Sequence, residues 1–235
     1  MVKAFKDRWK ESSMADNTFW DRSWKSPDRD KLSVYIENFD YSADSVIAFL
    51  HERGCKSLCD AGCGCGVYSL KLAKHGFSVS GFDISEDAVN QAKHLLSEEA
   101  YPTQDFRCAD ILMTGYPDGS FDAVIARDVL DHMAIRDGAA AVKELLRIVQ
   151  PGGCVLMTLD RTDKEYESEP HTVNADGDYL FSGGKWNGMV FHPYSPEEIS
   201  RLVGGQDVKL MKSNESGFLV VIEKGENSRN SLSDK

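Results

Sequence analysis

The chain has 235 residues, 41% of them hydrophobic, and a formal net charge of −11. This length fits one α/β domain with a sizeable core, and an acidic body repels a phosphate backbone, which argues against a nucleic-acid substrate. No apolar run reaches the length of a membrane-spanning helix, and we therefore expect no membrane partner. Residues 1–7 lack the apolar core of a signal peptide, so we expect a cytoplasmic protein.

The first 41 residues form an arm that is rich in aromatic side chains. They include Phe5, Trp9, Phe19, Trp20, Trp24, Tyr35, Phe39 and Tyr41. Aromatic rings gain free energy by leaving water, so we expect this arm to be covered by protein. Two interpretations stay open: the arm packs on a sheet edge, or it is a lid in which Trp20 and Trp24 close over a bound ligand. We favour the lid.

A glycine-rich turn follows the first predicted strand, in the stretch Leu58-Cys59-Asp60-Ala61-Gly62-Cys63-Gly64-Cys65-Gly66. The strand ends in an acid, and glycines occupy alternate positions up to a predicted helix at Val67–Lys74. Glycine lacks a Cβ, so the backbone can turn sharply there and touch a ligand. A strand that turns through glycines into a helix N-terminus is how open α/β sheets bind a nucleotide-like cofactor.

The spacing of these glycines does not fit the dinucleotide fingerprint Gly-x-Gly-x-x-Gly. Val67 and Ser69 stand where the two possible registers need their third glycine. A phosphate-binding loop needs Gly-Lys-Ser or Gly-Lys-Thr, and Gly66 is followed by Val67 instead. Asp60 at the strand end suits a cation better than a pyrophosphate.

The other predicted elements alternate between strands and helices. Runs of β-branched and aromatic residues between turn residues predict the strands, and apolar residues three to four apart predict the helices. Strands are predicted at Ser78–Asp83, Phe121–Ala126 and Cys154–Leu159, a strand and the loop after it at Phe106–Ile111, and a hairpin at Val208–Met211 and Phe218–Ile222. One helix starts after Ser85, with Ala88, Ala92, Leu95 and Leu96 as its buried stripe, and another spans Ala141–Val149 before Pro151-Gly152-Gly153.

Asp60, the glycines after it, Asp83 and the Pro-Gly-Gly turn resemble the motifs of the class I S-adenosylmethionine-dependent methyltransferases, in their type 11 or tellurite-resistance-like small-molecule branch. The resemblance implies an α/β fold with a doubly wound Rossmann-like sheet of mostly parallel strands and a reversed last strand. An inserted cover and the N-terminal aromatic arm would complete it. We expect a domain at 42–224, after the arm or lid at 1–41, and a flexible tail at 225–235.

The same resemblance implies S-adenosylmethionine as the cofactor and S-adenosylhomocysteine as its product. Asp83 would accept hydrogen bonds from both ribose hydroxyls, and Asp110 would accept one from the exocyclic amine of adenine. Nicotinamide-binding folds place an acid like Asp83 there too, so this residue alone does not discriminate. The predicted cofactor-binding residues are Trp20, Asp60, Ala61, Gly62, Cys63, Gly64, Gly66, Asp83, Ile84, Asp110, Ile111 and Arg127.

The segment Arg127–His132 follows the fourth strand, and the resemblance implies that it lies beside the methyl-bearing end of the cofactor. His132 and Asp128 are the candidate base or acceptor-orienting groups, although a structural contact would explain His132 equally well. Arg127 is a candidate clamp for an anionic substrate or for the methionine carboxylate. Asp131 is expected to face solvent.

Residues 160–196 form a longer connection than neighbouring elements usually need. The resemblance implies a cover inserted over the acceptor, in which His192 and Tyr194 are second-choice catalytic candidates. Long loops at the carboxyl ends of strands are where such enzymes bind acceptors. The alternative is a surface hairpin that binds no ligand.

Four of the six cysteines crowd the first strand and its turn, at Cys55, Cys59, Cys63 and Cys65. Their spacings do not match the paired Cys-x-x-Cys of metal sites, so no metal-ligating residues are predicted. A cytoplasmic setting disfavours disulfides. Exposure of the turn would make Cys63 or Cys65 sensitive to alkylation.

These patterns predict an enzyme that transfers a methyl group from S-adenosylmethionine to a small-molecule acceptor by in-line displacement, as a monomer or homodimer. Positioning and exclusion of water can supply most of the acceleration of such a reaction. Three alternatives stay open: cofactor binding without turnover, methylation of a protein or RNA, and a nicotinamide oxidoreductase. The glycine spacing disfavours the last of these, and the net charge disfavours RNA.

Overall fold

The computed structural model describes residues 17–25, 41–101, 105–162 and 164–226 of the protein. Its helices are α1 (Asn17–Trp24), α2 (Tyr41–Glu52), α3 (Val67–Lys74), α4 (Glu86–Glu98), α5 (Ile135–Ile148), α6 (Lys164–Ser168) and α7 (Pro196–Leu202), with 3₁₀ turns at Leu130–His132 and Gly184–Trp186. No helix in these ranges has the length and apolar character needed to cross a membrane. Phe5, Trp9, Tyr35 and Phe39 of the predicted arm, and residues 227–235 of the predicted tail, lie outside the described residues.

Seven strands form the central sheet, in the spatial order β3-β2-β1-β4-β5-β10-β9. They are β1 (Ser57–Ala61), β2 (Ser78–Asp83), β3 (Phe106–Cys108), β4 (Phe121–Arg127), β5 (Val149–Asp160), β9 (Asp207–Ser213) and β10 (Gly217–Glu223). Strands β1 to β5 are parallel, and β10 runs antiparallel to both β5 and β9. The predicted Rossmann-like sheet, mostly parallel with a reversed last strand, is confirmed.

Helices cover both faces of this sheet because its strands are apolar on both sides. In β4, Val124 and Ala126 pack against α5 and α7, whereas Ala123 and Ile125 pack against α2, α3 and α4. Successive side chains of a strand point to opposite faces, and strands buried on both faces are continuous apolar runs. The core therefore consists of two apolar layers that the sheet separates.

A smaller antiparallel sheet lies between β5 and α7, with β6 (His171–Val173), β7 (Tyr179–Phe181) and β8 (Val190–Phe191) in that order. The turn between β6 and β7 is closed by Asn174, whose side-chain oxygen accepts from the backbone N–H groups of Asp176 and Asp178, each at 2.9 Å. Strands β6 and β7 thus form a hairpin within the connection 160–196.

Several predicted boundaries differ from the structure. Helix α5 begins at Ile135, ahead of the predicted start. Gly138 lowers the helix propensity of this first part of the helix. In the folded protein, however, the absence of a side chain at Gly138 allows close contact with Tyr194 and Leu202. The Pro-Gly-Gly turn lies inside β5, where the pairing with β4 shifts register. In α4, Val89 is buried, while the predicted Leu95 is only half-buried.

Candidate active site

A cavity of about 320 Å³ lies at the carboxyl ends of β1, β2 and β4. The strand order reverses between β1 and β4, and such a reversal opens a crevice at that edge of a parallel sheet. The predicted site residues that line the cavity are Trp20, Asp60, Gly62, Cys63, Gly64, Asp83, Ile84, Asp110, Ile111, Arg127, Asp128 and His132. Ala61, Gly66, His192 and Tyr194 are not among its lining residues.

The glycine turn after β1 forms one wall of the cavity. The backbone N–H groups of Gly62 and Cys63 donate to the carbonyl of Phe82, at 2.8 and 2.9 Å, which ties the turn to the end of β2. Gly64 has a φ of +51°, and a Cβ there would lie 2.9 Å from the ring of Trp24. The backbone itself therefore borders the cavity, since a side chain at position 64 would have no room.

Two predicted cofactor residues of this turn have packing roles instead of lining the cavity. Ala61 is fully buried in the core on the α5 side of the sheet. Gly66 precedes α3 with a φ of +86°, and a Cβ there would lie 2.7 Å from the Cα of Ala92 in α4. Gly66 thus lets α3 and α4 approach closely where α3 meets the turn.

Asp83 ends β2 and holds the glycine turn through backbone hydrogen bonds. Its Oδ2 accepts from the N–H of Gly64 and its Oδ1 from the N–H of Ser85, both at 2.9 Å. Burial raises the pKa of this carboxyl group, and the two N–H donors oppose that rise. Each carboxylate oxygen can accept more than one hydrogen bond, so Asp83 retains acceptor capacity on the cavity wall.

Asp60 lies at the bottom of the cavity and is 2% exposed. Burial raises the pKa of its carboxyl group to about 6, although a hydrogen bond from the hydroxyl of Ser69, at 2.5 Å, and the charge of Arg127 both lower it. The guanidinium of Arg127 in turn stacks on the ring of Tyr68, 4.8 Å from its centroid. The inner end of the cavity thus holds the carboxyl group of Asp60 and the guanidinium of Arg127.

We expect the Asp60→Asn variant to gain stability relative to the native protein as the pH rises. The folded state binds the Asp60 proton more tightly than the unfolded chain does, so native stability falls as pH rises from about 4 to about 6. Because asparagine does not titrate, the free energy of unfolding of the variant minus that of the native protein should rise by about 3 kcal/mol between pH 4 and pH 7. Urea unfolding at several pH values measures the difference.

The Ser69→Ala variant provides the matched control for that measurement. It removes the hydrogen bond that stabilises ionised Asp60, so the fall in native stability should extend to higher pH. A difference between Asp60→Asn and native protein that stays constant with pH would contradict the raised pKa of Asp60.

Asp110 and Ile111 lie on the cavity wall after β3. The backbone N–H of Leu112 donates to Asp110 Oδ1 at 2.8 Å, and the N–H of Met113 donates to the Asp110 carbonyl at 2.9 Å. This turn fixes the carboxylate of Asp110 beside the apolar side chains of Ile111 and Leu112. Such a wall suits a flat, partly apolar ring with a polar edge.

Helix α1 closes one side of the cavity with Trp20 and Trp24. Gln91 of α4 donates to the carbonyl of Trp24, and Arg22 donates to the carbonyl of Asn187 at 2.6 Å. Phe19 and Trp20 also join an aromatic cluster of the smaller sheet, formed with Tyr166, Tyr179, Phe181, Trp186, Met189 and Phe191. Helix α1 therefore connects the cofactor-type turn to the predicted cover.

The expected exposure of the turn cysteines is wrong. Cys63 and Cys65 are 7% and 5% exposed, and burial raises the pKa of both thiols. A buried thiol with a raised pKa forms little thiolate at neutral pH. The chemical reason for the predicted sensitivity to alkylation is therefore absent.

Asp128 follows β4 with a φ of +53°, a conformation that residues other than glycine seldom adopt. The hydroxyl of Thr158 in β5 donates to Asp128 Oδ1 at 2.5 Å and accepts from the Asp128 backbone N–H at 3.0 Å. These two bonds hold the Asp128 carboxylate in place on the cavity wall.

His132 borders the same part of the cavity, with its ring centroid 5.2 Å from that of Trp20 and 5.6 Å from that of Phe191. Burial lowers the pKa of its imidazole, so the ring is neutral at pH 7. Its Nδ1 is buried and has no hydrogen-bond partner among the described residues. A neutral imidazole can orient a polar group or accept a proton.

Asp131 was expected to face solvent, and this expectation is wrong. Its side chain is 0% exposed because the 3₁₀ turn at Leu130–His132 directs it toward the end of β5. The backbone N–H of Asp160 donates to Asp131 Oδ2 at 2.9 Å. Burial and the nearby carboxylate of Asp128 raise the pKa of Asp131 to about 8, and the same two causes raise that of Asp160 to about 7.

His192 and Tyr194 lie in the core, each no more than 3% exposed, and away from the cavity lining. His192 Nδ1 lies 2.9 Å from Asp178 Oδ1, which also accepts from the backbone N–H of Ile135 at 3.1 Å. The hydroxyl of Tyr194 donates to the carbonyl of Leu130 at 3.4 Å. Both residues join the segment 171–194 to the turn after β4, which suits a positioning role.

Sequence reasoning missed several cavity residues, namely Cys65, Val67, Tyr68, Phe82, Ala109, Leu112, Val129, Met133, Ala134 and Asp137. Most are apolar and belong to elements that also build the core, so their type carries no local signal of a site. Val129 illustrates this, because its side chain would lie 2.5 Å from a Cβ at Gly62. Only the folded chain shows that the turns after β1 and β4 meet.

Comparison with known proteins supports this interpretation of the fold. Residues 59–157 match the family described as Methyltransferase domain. The chain is 39% identical over 112 residues to the 2-methyl-6-phytyl-1,4-hydroquinone methyltransferase of Synechocystis sp., covering 47% of this chain and 34% of that protein. It is 35% identical over 113 residues to the ubiquinone biosynthesis O-methyltransferase of Thiobacillus denitrificans, covering 47% of each. The chain thus spans less than half the length of these two relatives.

A solved structure agrees with the comparison of sequences. The crystal structure of magnesium protoporphyrin IX methyltransferase from Synechocystis with bound SAH has a TM-score of 0.57 and 25% identity, covering 78% of this chain and 82% of that one. Its likeness covers more of the chain than the segment that matches the family. In its matching segment, its relatives and its fold, this chain is similar to S-adenosylmethionine-dependent methyltransferases.

Proposed function

We propose that the protein transfers a methyl group from S-adenosylmethionine to a small-molecule acceptor. The observation that carries the proposal is a single cavity in which the glycine turn, Asp60, Asp83 and Asp110 share space with Asp128 and His132. The names of the relatives, which are methyltransferases of a hydroquinone and in ubiquinone biosynthesis, support an acceptor of modest size. Monomeric or homodimeric state, cytoplasmic location and absence of a nucleic-acid partner stay predictions.

The cavity wall fits this cofactor in shape and in charge. Gly62 and Gly64 leave bare backbone where a side chain would fill the space. The spare acceptor capacity of Asp83 suits the paired hydroxyls of a ribose, and the wall at Asp110 suits adenine. Asp60 and Arg127, at the inner end, suit an ammonium and a carboxylate respectively. When bound, the cofactor supplies a methyl group on a positively charged sulfur, ready for displacement.

The residues of the chain position the acceptor and keep water out. Trp20 of α1 covers the cavity beside His132, and an aromatic face there attracts a positive charge. Asp128 and His132 face this end and can orient the acceptor or take its proton. Excluding water strengthens these polar contacts and prevents hydrolysis.

Titration calorimetry with S-adenosylhomocysteine and with NAD tests the cofactor assignment. We expect binding of S-adenosylhomocysteine alone, together with a rise in melting temperature, because a ligand that binds only the native state stabilises it. Binding of NAD alone would overturn the proposal in favour of an oxidoreductase.

Methyl transfer from radiolabelled S-adenosylmethionine to a panel of hydroxylated aromatic compounds tests turnover, with His132→Gln as the matched variant. We expect that variant to bind S-adenosylhomocysteine as the native protein does and to transfer methyl groups at least 10-fold more slowly. Cofactor binding without transfer to any acceptor would favour the second candidate function, a fold that binds the cofactor without turnover.

A further inference from the structure

The first turn of helix α5 is capped by a residue that is far from it in the sequence. Ala134 precedes the helix, and its methyl group cannot accept a hydrogen bond. The backbone N–H of Ile135 instead donates to Oδ1 of Asp178 at 3.1 Å, across 43 positions of the chain. The first N–H groups of a helix have no partner within the helix. A carboxylate beside them accepts their hydrogen bonds and is favoured by the helix dipole.

Asp178 is itself held by residues of the smaller sheet. Its backbone N–H donates to Oδ1 of Asn174, and its Oδ2 accepts from Nδ2 of Asn174, both at 2.9 Å. Nδ1 of His192 lies 2.9 Å from the same Asp178 oxygen that accepts from Ile135. Asp178 is 1% exposed, and a buried carboxylate needs partners of this kind to offset the loss of water. Together these contacts fix the position of the Asp178 side chain.

A second contact from the smaller sheet lies just ahead of the first along the chain. The backbone N–H of His192, the residue after β8, donates to the carbonyl of Asp131 at 2.7 Å. Asp131 and Ile135 flank the three-residue segment 132–134, and all three of its residues line the cavity. The smaller sheet therefore holds this segment of the cavity wall at both ends.

The imidazole of His192 also lies between Asp178 and helix α7. Its Nε2 is 3.6 Å from Oε2 of Glu198, and that oxygen accepts from the backbone N–H of Ser195 at 2.9 Å, at the start of α7. One buried imidazole is thus placed between the two carboxylates that cap α5 and α7. The segment 132–134 is connected in this way to two helices and to the smaller sheet.

We propose that Asp178 is a positioning residue of the active site, whose carboxylate sets the place of segment 132–134 relative to the cofactor and the acceptor. This inference rests on the proposed function, because it gives Asp178 a role in methyl transfer. Asp178 is not among the residues that line the cavity, so it acts through the first turn of α5. The smaller sheet then shapes the cavity wall as well as lying beside it.

Methyl transfer is sensitive to positioning of this kind. A displacement of about 1 Å in an active site can cost roughly 100-fold in rate, and His132, the candidate base, begins the segment that Asp178 positions. The predicted cofactor contacts come mainly from the turn after β1 and from the residues that follow β2 and β3. Loss of the Asp178 carboxylate should therefore slow methyl transfer much more than it weakens cofactor binding.

Steady-state methyl transfer and titration calorimetry on the Asp178→Ala variant test the inference, well below its melting temperature. We expect kcat to fall about 10-fold or more and the affinity for S-adenosylhomocysteine to stay nearly unchanged. Asp176→Ala is the matched control, because Asp176 is an exposed acid of the same turn whose backbone N–H, and not its side chain, bonds to Asn174. This control should keep the native kcat.

A new local cap separates positioning from simple stabilisation of α5. The double variant Asp178→Ala/Ala134→Ser places a hydroxyl at the N-cap position of α5, where serine is preferred. It should regain part of the melting temperature that Asp178→Ala loses, but kcat should stay low because the hydroxyl does not connect α5 to the smaller sheet. Ala134→Ser alone provides the reference rate, since Ala134 lines the cavity. Recovery of kcat to that reference rate would overturn the positioning role.

Hydrogen exchange provides a readout that does not depend on turnover. The Ile135 amide should exchange about 10-fold faster or more in Asp178→Ala than in the native protein, because its buried acceptor is lost. Unchanged exchange at Ile135, or a native kcat in Asp178→Ala, would overturn the positioning role alone and leave the methyltransferase proposal intact. A native protein that transfers no methyl group to any acceptor would overturn the proposed function, and the role of Asp178 in transfer with it.

Discussion

Replacement of Gly66 by alanine is expected to lower the free energy of unfolding by about 2–5 kcal/mol, from two separate costs. Gly66 has a φ of +86°, a left-handed conformation that costs an L-residue roughly 1–2 kcal/mol. The added Cβ would also lie 2.7 Å from the Cα of Ala92, a backbone atom that cannot turn away. Overpacking of this kind costs typically about 1–3 kcal/mol.

Gly76→Ala is the control that isolates the contact with α4. Gly76 has a φ of +88°, and a Cβ there would meet nothing within 4 Å. This variant has only the backbone cost, so urea unfolding should show a loss of about 1–2 kcal/mol. Equal losses in the two variants would contradict close packing of α3 on α4 as the reason for a glycine at position 66.

The second large effect is expected at Asp83. The Asp83→Ala variant leaves the buried N–H groups of Gly64 and Ser85 without their acceptor. An unsatisfied buried donor costs about 1–3 kcal/mol, so the loss of the acceptor for two donors should lower the free energy of unfolding by roughly 2–6 kcal/mol. The affinity for S-adenosylhomocysteine should fall at least 10-fold as well, since the same carboxylate would accept from the ribose. Urea unfolding and titration calorimetry measure the two effects.

Asp83→Asn separates these two roles of the side chain. The amide keeps the shape of the carboxylate and one oxygen acceptor, so it should lose less stability than the alanine variant. It replaces an acceptor by a donor, which cannot accept from a hydroxyl. A folded Asp83→Asn protein with undiminished affinity for S-adenosylhomocysteine would contradict the ribose assignment.

Local sequence pattern was sufficient to predict the strands and to single out the glycine turn and Asp83, which line the cavity. The apolar strand, Asp60 and alternate glycines predict a ligand-binding turn because few residue types tolerate its backbone, and Gly64 and Gly66 both have positive φ. Asp83 was predicted from its place at a strand end, and the structure adds that it bonds to the turn itself. Predictions of this kind succeed where backbone geometry restricts the residue type.

The side chains after β4 and in the connection 160–196 were less predictable. Asp131 follows a strand within a polar segment, which is typical of an exposed loop, and yet it is fully buried. His192 and Tyr194 lie in a segment predicted to cover an acceptor, but they face the core near Asp178 and Leu130. The direction of a side chain in an irregular segment depends on distant partners, which the local pattern does not contain.

The sequence by itself determined the strands, the glycine turn and the acids at the ends of β1 and β2, because hydrophobic period and backbone conformation are local properties. Only the tertiary structure decided that α1 joins the turn to the smaller sheet and that Asp128, Asp131 and Asp160 meet. Contacts between residues that are far apart in the sequence depend on the order in which the strands pair. The pairing of β4 with β5 brings residues far apart in the chain within a few ångströms, and no short stretch of sequence encodes that distance.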